Sequence, residues 1–177
     1  LERMDYKVLW TPEAWGREPF AHGGYLLAKT HRLIYATGIA NIWARDPMTM
    51  ATAAKTLAEA AVGRFILGIG VSHRSIVADL RGHAFTKPYT FMKEYLPRMK
   101  AALYKAVPPK AEPPLVIAAL HPKMLALTAQ EAQGTHTYLC LPEHTKRARE
   151  IMGPNAWVCP SVIAILERDG TKARARA

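Results

Sequence analysis

The sequence predicts an α/β protein built on a parallel sheet. Short apolar runs rich in β-branched residues alternate with longer segments of helical period. The junctions carry a second signal, with proline where helices open and glycine where they close. Six strands separated by five helices is the order expected when parallel neighbours are joined by right-handed crossovers.

In chain order, the strands fall at residues 7–11, 33–40, 64–70, 115–120, 135–141 and 157–166, and the helices at 20–30, 47–62, 88–107, 122–133 and 142–152. Three strand ends lead straight into a proline, as Asp46-Pro47, His121-Pro122 and Leu141-Pro142. Proline suits the first helical position, where its missing N–H would have had no partner and its φ is already helical. Asp46 is also a good N-cap. Gly63, Gly134 and Gly153 stand where the intervening helices stop, as left-handed caps require. Within 88–107, Phe91, Tyr95, Met99 and Leu103 recur every four residues as one apolar stripe, while Lys93, Lys100 and Lys105 project elsewhere. Strand-to-strand spacings of roughly 20 to 50 residues fit either a doubly wound sheet or a (β/α)8 barrel. The nearest dinucleotide fingerprint, Gly68-Ile-Gly70-Val-Ser-His73, has His73 in place of a third glycine and does not decide between them.

The chain has 177 residues, 50% apolar and 21% charged, which describes a globular domain and excludes a disordered, collagenous or coiled-coil chain. No apolar run reaches the roughly 20 residues of a membrane span, so no membrane partner is expected. Leu1 replaces an initiating Met and the stretch 1–7 is charged, so neither a signal peptide nor a natural start is visible, and the chain reads as a piece of something longer. Cys140 and Cys159 are too far apart for a redox or zinc pair, which points to a reducing, cytoplasmic setting. The formal charge is +10, and between positions 81 and 110 seven basic residues face one acid, Glu94. Stacking aromatics and a recognition motif are missing there, so the basic stretch reads as a solvated helix face and not as a nucleic-acid site.

In either architecture a ligand sits at the carboxyl ends of the strands. Glu13, two residues past the first strand, offers a general base or a ligand-orienting carboxylate, or pins its own loop. Gly38 interrupts the second strand, and glycine inside a strand marks a bulge or a close approach by a ligand. Asn41 then offers an amide to a heterocycle edge or to a turn. Gly68 and Gly70 share one face of the third strand and leave room above it, with Ser72 and His73 at the rim. The free N–H groups after His121-Pro122, with Lys123 beside them, make a phosphate seat. No metal site is expected, because no histidine pair has i,i+4 ligand spacing. No serine lies in a nucleophile-elbow pattern.

Several of these stretches together resemble the bacterial-luciferase-like superfamily, and more narrowly its coenzyme F420-dependent oxidoreductases. They are Thr37-Gly-Ile-Ala-Asn-Ile-Trp-Ala-Arg-Asp-Pro47, Thr56-Leu-Ala-Glu59 and Gly63-Arg-Phe-Ile-Leu-Gly-Ile-Gly-Val-Ser-His73, supported by Trp10-Thr-Pro-Glu13, Gly16-Arg-Glu-Pro19, Arg81-Gly-His83, Ala118-Ala-Leu-His-Pro-Lys-Met124 and Pro142-Glu-His-Thr145. The resemblance implies a (β/α)8 TIM barrel of the luciferase-like type, here incomplete, with strands 2 to 7 present and strands 1 and 8 missing, as a single partial domain over 1–177.

It also implies a cofactor, coenzyme F420 or alternatively FMN, lying across Gly38, Ile39, Ala40, Asn41, Gly70, Val71, Ser72, Leu120 and His121. Gly38-Ile39 matches a bulge where relatives hold a non-prolyl cis peptide against the ring, and Val71-Ser72 matches backbone and hydroxyl contacts. His73 matches a catalytic acid of sugar-phosphate dehydrogenases, and Glu13 an acid near the ring. Leu120-His121 stands where those relatives bind phosphate with two glycines, and Ala14 where they have histidine, so their substrate is not implied. The expected partner is a small organic substrate, and relatives form homodimers. The rival readings are an FMN-dependent monooxygenase on the same barrel and, from another class, a non-enzymatic basic binding domain whose binding would fall steeply with salt.

Overall fold

The computed structural model describes residues 1–176. Its strands are β1 (Val8–Thr11), β2 (Ile34–Thr37), β3 (Ala40–Asn41), β4 (Phe65–Gly70), β5 (Leu115–Ala118), β6 (Gly134–Tyr138) and β7 (Trp157–Ser161). The helices between and after them are α1 (Pro19–Lys29), α2 (Pro47–Ala60), α3 (Pro88–Lys100), α4 (Pro122–Glu131), α5 (Pro142–Met152) and α6 (Gly170–Arg176). The sheet runs β1-β2-β4-β5-β6-β7, with β3 paired to β4, and every pair is parallel. It curls into a half-barrel, the incomplete barrel that the family resemblance implies.

Side-chain alternation along each strand separates two apolar layers. On the convex side Tyr35, Leu67, Ile69, Leu115 and Ile117 are buried against Leu27, Met50, Leu57, Met92, Leu96 and Leu125 of the helices. On the concave side a smaller group forms around Ala36, Ile66 and Val116, with Val8, Trp10 and Ile34 against it. The large core therefore lies between sheet and helices. The concave face carries only the smaller cluster, in which Trp10 is the largest side chain.

All five helices from α1 to α5 open with proline in the first turn. Asp46 caps α2, its Oδ1 accepting from the N–H groups of Met48 at 2.9 Å and Thr49 at 3.0 Å. The Thr49 side chain and these backbone donors hold the Asp46 carboxyl below its ordinary value. The folded state therefore keeps Asp46 ionised to lower pH than the unfolded chain does, and its contribution is present above the ordinary aspartate range and lost as pH falls through the lowered value. Asp46→Ala is expected to melt earlier than the parent protein at neutral pH. The gap should close in acid, as read from paired thermal melts across pH.

The structure corrects several predicted boundaries. The single strand at 33–40 is two strands, β2 pairing with β1 and β4 and β3 with β4 alone, with Gly38 and Ile39, joined by a cis peptide bond, between them. The last strand stops at Ser161, and Val162, Ile163 and Leu166 are exposed, having no packing surface among the described residues. Helix α3 ends at Lys100, so the apolar stripe closes at Met99 and Leu103 is 60% exposed. Gly63 and Gly153 do adopt positive φ, but Gly134 does not. It is instead the first residue of β6, where an added Cβ would lie 2.6 Å from Trp157 Cβ. A π-helical turn, Ser75–Leu80, was not foreseen, since so short an element leaves no periodic trace.

Candidate functional site

The carboxyl ends of β1 to β6 converge on one rim. Glu13 is buried there, with a side chain only 4% exposed. Its Oε2 accepts from the Asn41 backbone N–H at 2.8 Å and from Arg45 Nη1 at 2.6 Å, and its Oε1 accepts from Arg81 Nη2 at 3.2 Å. Arg45 also pairs with Glu18, whose other oxygen caps α1 through the Ala21 N–H at 2.6 Å. Burial acts against the Arg45 charge, but Glu13 and Glu18 outweigh it and hold the guanidinium above its ordinary value. Both oxygens of Glu13 are thus committed to protein donors. The sequence offered Glu13 as a base, a ligand-orienting group or a loop anchor, and its geometry is that of an anchor.

Behind this network, the Tyr95 hydroxyl donates to the Arg45 and Asp46 carbonyls at 3.0 and 3.2 Å. The Trp43 indole stacks on Phe91 with ring centroids 4.0 Å apart, and its N–H donates to the Val71 carbonyl at 2.9 Å. The backbone leading to Ser72 and His73 is therefore fixed from the helix side.

Ala40 and Asn41 are fully buried, and the Asn41 Oδ1 accepts from the Trp43 N–H at 3.0 Å. Gly38 and Ile39 are half-buried, Val71 and Ser72 likewise, and His73 is exposed with its ring 6.1 Å from that of Tyr138. The Ile39 side chain covers Gly70, where an added Cβ would lie 2.9 Å from Ile39 Cγ1 and 3.0 Å from Ala118 Cβ. Leu120 and His121 are exposed at the start of α4, which has no side-chain cap. The Leu120 carbonyl accepts from His144 Nε2 at 2.7 Å.

A concavity of 330 Å³ lies on the helix side directly behind the Glu13 network, lined by Trp43, Arg45 and Tyr95, and one of 570 Å³ lies between α2, α3 and the start of β5. The rim itself is an open shelf.

Sequence reasoning missed Trp10 and His136, whose rings stack 5.1 Å apart and 2° from parallel on the concave side. The available signal was the period of two in Gly134-Thr-His136-Thr-Tyr138, which puts His136 opposite the buried Thr135 and Thr137.

Residues 1–152 match the family described as luciferase-like monooxygenase. The chain belongs to that family. This luciferase-like chain is 34% identical over 95 residues to the "Putative coenzyme F420-dependent oxidoreductase Rv3520c" of Mycobacterium tuberculosis, a match covering 54% of the chain and 27% of that relative. Its fold is similar to an F420-dependent secondary alcohol dehydrogenase in complex with an F420-acetone adduct, at TM-score 0.77 and 16% identity, over 90% of this chain and 61% of that one. It is also similar to the oxygenating constituent of 3,6-diketocamphane monooxygenase of Pseudomonas putida in complex with FMN, at TM-score 0.69 and 14% identity, over 85% and 52% of the two chains. The luciferase-like chain thus spans 61% of the first of these structures and 52% of the second.

Proposed function

We propose that this chain carries the cofactor-facing rim of an oxidoreductase that uses coenzyme F420 and acts on a small organic substrate. The observation that carries the reading is the shelf at the strand ends. Gly38, Gly70 and Ala118 add no more than a methyl there, and Trp10 and Ile39 pack into the space they leave, 3.2 Å from a Cβ built on Gly38 and 2.9 Å from one built on Gly70, giving a low apolar floor that suits a flat ring. The shelf leads to the partly exposed Val71 and Ser72 and to the exposed His73. The uncapped first turn of α4 beside Leu120 and His121 offers free N–H groups to a cofactor phosphate. The name of the Mycobacterium tuberculosis relative favours F420, and FMN in the Pseudomonas putida complex keeps a flavin monooxygenase as the second reading.

The cofactor would supply hydride transfer, and the protein would supply position and electrostatics. Gly38, Ile39, Gly70, Val71 and Ser72 would bear the ring, with Ala40 and Asn41 beneath them. Glu13 would position the β3 backbone through the Asn41 N–H. His73 would give or take the substrate proton. The unpaired Cys140 and Cys159 fit a reducing, cytoplasmic compartment.

An anaerobic fluorescence titration of the full-length protein with F420 and, separately, FMN tests the reading. Micromolar binding of F420 is expected. Failure of both to bind below millimolar concentration would sink it, and tighter binding of FMN would favour the monooxygenase. His73→Ala is expected to lower turnover about 100-fold, the lower end for general acid–base catalysis, with cofactor affinity unchanged. Normal turnover would remove His73 from the proton-transfer role.

A further inference from the structure

Trp10 on β1 and His136 on β6 lie far apart in the sheet order, yet the curl brings their rings face to face. The His136 Nδ1 lies 2.8 Å from the Cys159 carbonyl oxygen. A carbonyl only accepts, so Nδ1 carries the hydrogen, and in the neutral ring the lone pair is on Nε2. Burial holds the imidazole below its ordinary pKa and the Cys159 hydrogen bond opposes this, with no charged side chain contributing. The titratable neighbour on β7 is Cys159 itself, whose thiol burial pushes up and keeps neutral. The ring is therefore neutral near pH 7.

Nε2 makes no hydrogen bond among the described residues and is not one of their sealed, unpartnered atoms. A Cβ built on Gly38 would lie 3.8 Å from it. The strand register places His136 beside Ala118 and Cys159, and a Cβ built on Gly70 would lie 3.0 Å from the Ala118 Cβ. Beside the apolar side chains of Trp10 and Ile39, Nε2 is thus an open side-chain acceptor.

Resting on the cofactor reading above, we propose that His136 is a ligand-binding residue whose Nε2 accepts a hydrogen bond from an N–H or O–H of the molecule bound at the strand ends against Gly38, Ile39 and Trp10. A flavin-type pyrimidine edge and a substrate hydroxyl both offer such a donor. Trp10 holds the imidazole plane for it.

The test uses full-length protein labelled with ¹⁵N-histidine, titrated anaerobically with F420 and with FMN and then with 2-propanol. In the free protein His136 is expected as the Nδ1–H tautomer. A shift of the Nε2 resonance with cofactor alone places the donor on the ring, and a shift only after 2-propanol places it on the substrate. His136→Phe keeps an aromatic face for Trp10 but has no acceptor. It should bind the corresponding molecule about tenfold more weakly, about 1.4 kcal/mol. His136→Gln, which restores an acceptor, should recover part of the loss and stands in if the Phe variant does not fold.

An Nε2–H tautomer in the free protein overturns the proposal. So does an unmoved Nε2 together with undiminished binding by the variants, and in that case the cofactor reading stands. If neither cofactor binds the parent protein, both fall together.

Discussion

Glu13→Ala is expected to cost about 3 kcal/mol of folding stability, the lower end of what is seen when one partner of a buried ion pair is removed. The carboxylate pairs with two guanidinium groups, Arg45 with a side chain 11% exposed and Arg81 at 30%. Alanine leaves Arg45 with Glu18 alone and leaves the Asn41 N–H without its acceptor. Glu13→Gln keeps an acceptor for that N–H but not the charge, and should fall between alanine and the parent. Urea denaturation of the three proteins measures the order. A stability change within about 0.5 kcal/mol, typical of a surface position, would mean that the network is not formed. If the alanine variant still folds, it should also bind cofactor more weakly, because the Gly38–Asn41 backbone loses its anchor.

The second large effect is at Gly68. A Cβ there would fall far inside van der Waals contact with the Thr37 carbonyl oxygen and lie 3.2 Å from Trp10 Cζ3. The close approach is enforced from both strands, since Thr37 Oγ1 donates to the Gly68 carbonyl at 2.7 Å and accepts from the Gly68 N–H at 2.9 Å. Backbone cannot yield as a flexible side chain does, so Gly68→Ala is expected to destabilise by about 3 kcal/mol or more, beyond ordinary overpacking. Gly16→Ala, with nothing within 4 Å of the added carbon, should change stability by only a few tenths of a kcal/mol and serves as the control. Equal melting temperatures for the two variants would contradict the packing described.

The parts of this fold that could be read from sequence are those whose chemistry is local. Asp46-Pro47 specifies a capped helix within four residues, and the structure places both as expected. The alternating runs give six of the seven strands, and β3 was hidden because it is two residues long and follows a bond whose cis geometry no hydropathy pattern encodes. The role of Glu13 was open for a different reason. Its partners Asn41, Arg45 and Arg81 lie 28, 32 and 68 residues away. Nothing near position 13 indicates them. His136 passed unnoticed because a lone histidine in a strand acquires meaning only once the sheet has curled and set it against Trp10. Family resemblance supplied the barrel and the rim positions but not their burial: Ala40 and Asn41 are fully buried, whereas Val71 and Ser72 are half-buried and His73 is exposed.

The distances along the chain between Glu13 and its partners also bear on when the rim comes into being. Closing a 68-residue loop is entropically slow to repay, and such contacts form only after the intervening strands have paired. The Asn41 amide hydrogen, bonded to a side chain 28 residues away and fully buried, can then exchange with solvent only when that long-range assembly opens. Its exchange rate is a clock for the rim, running with the cooperative opening of the sheet and not with the fraying of any one loop.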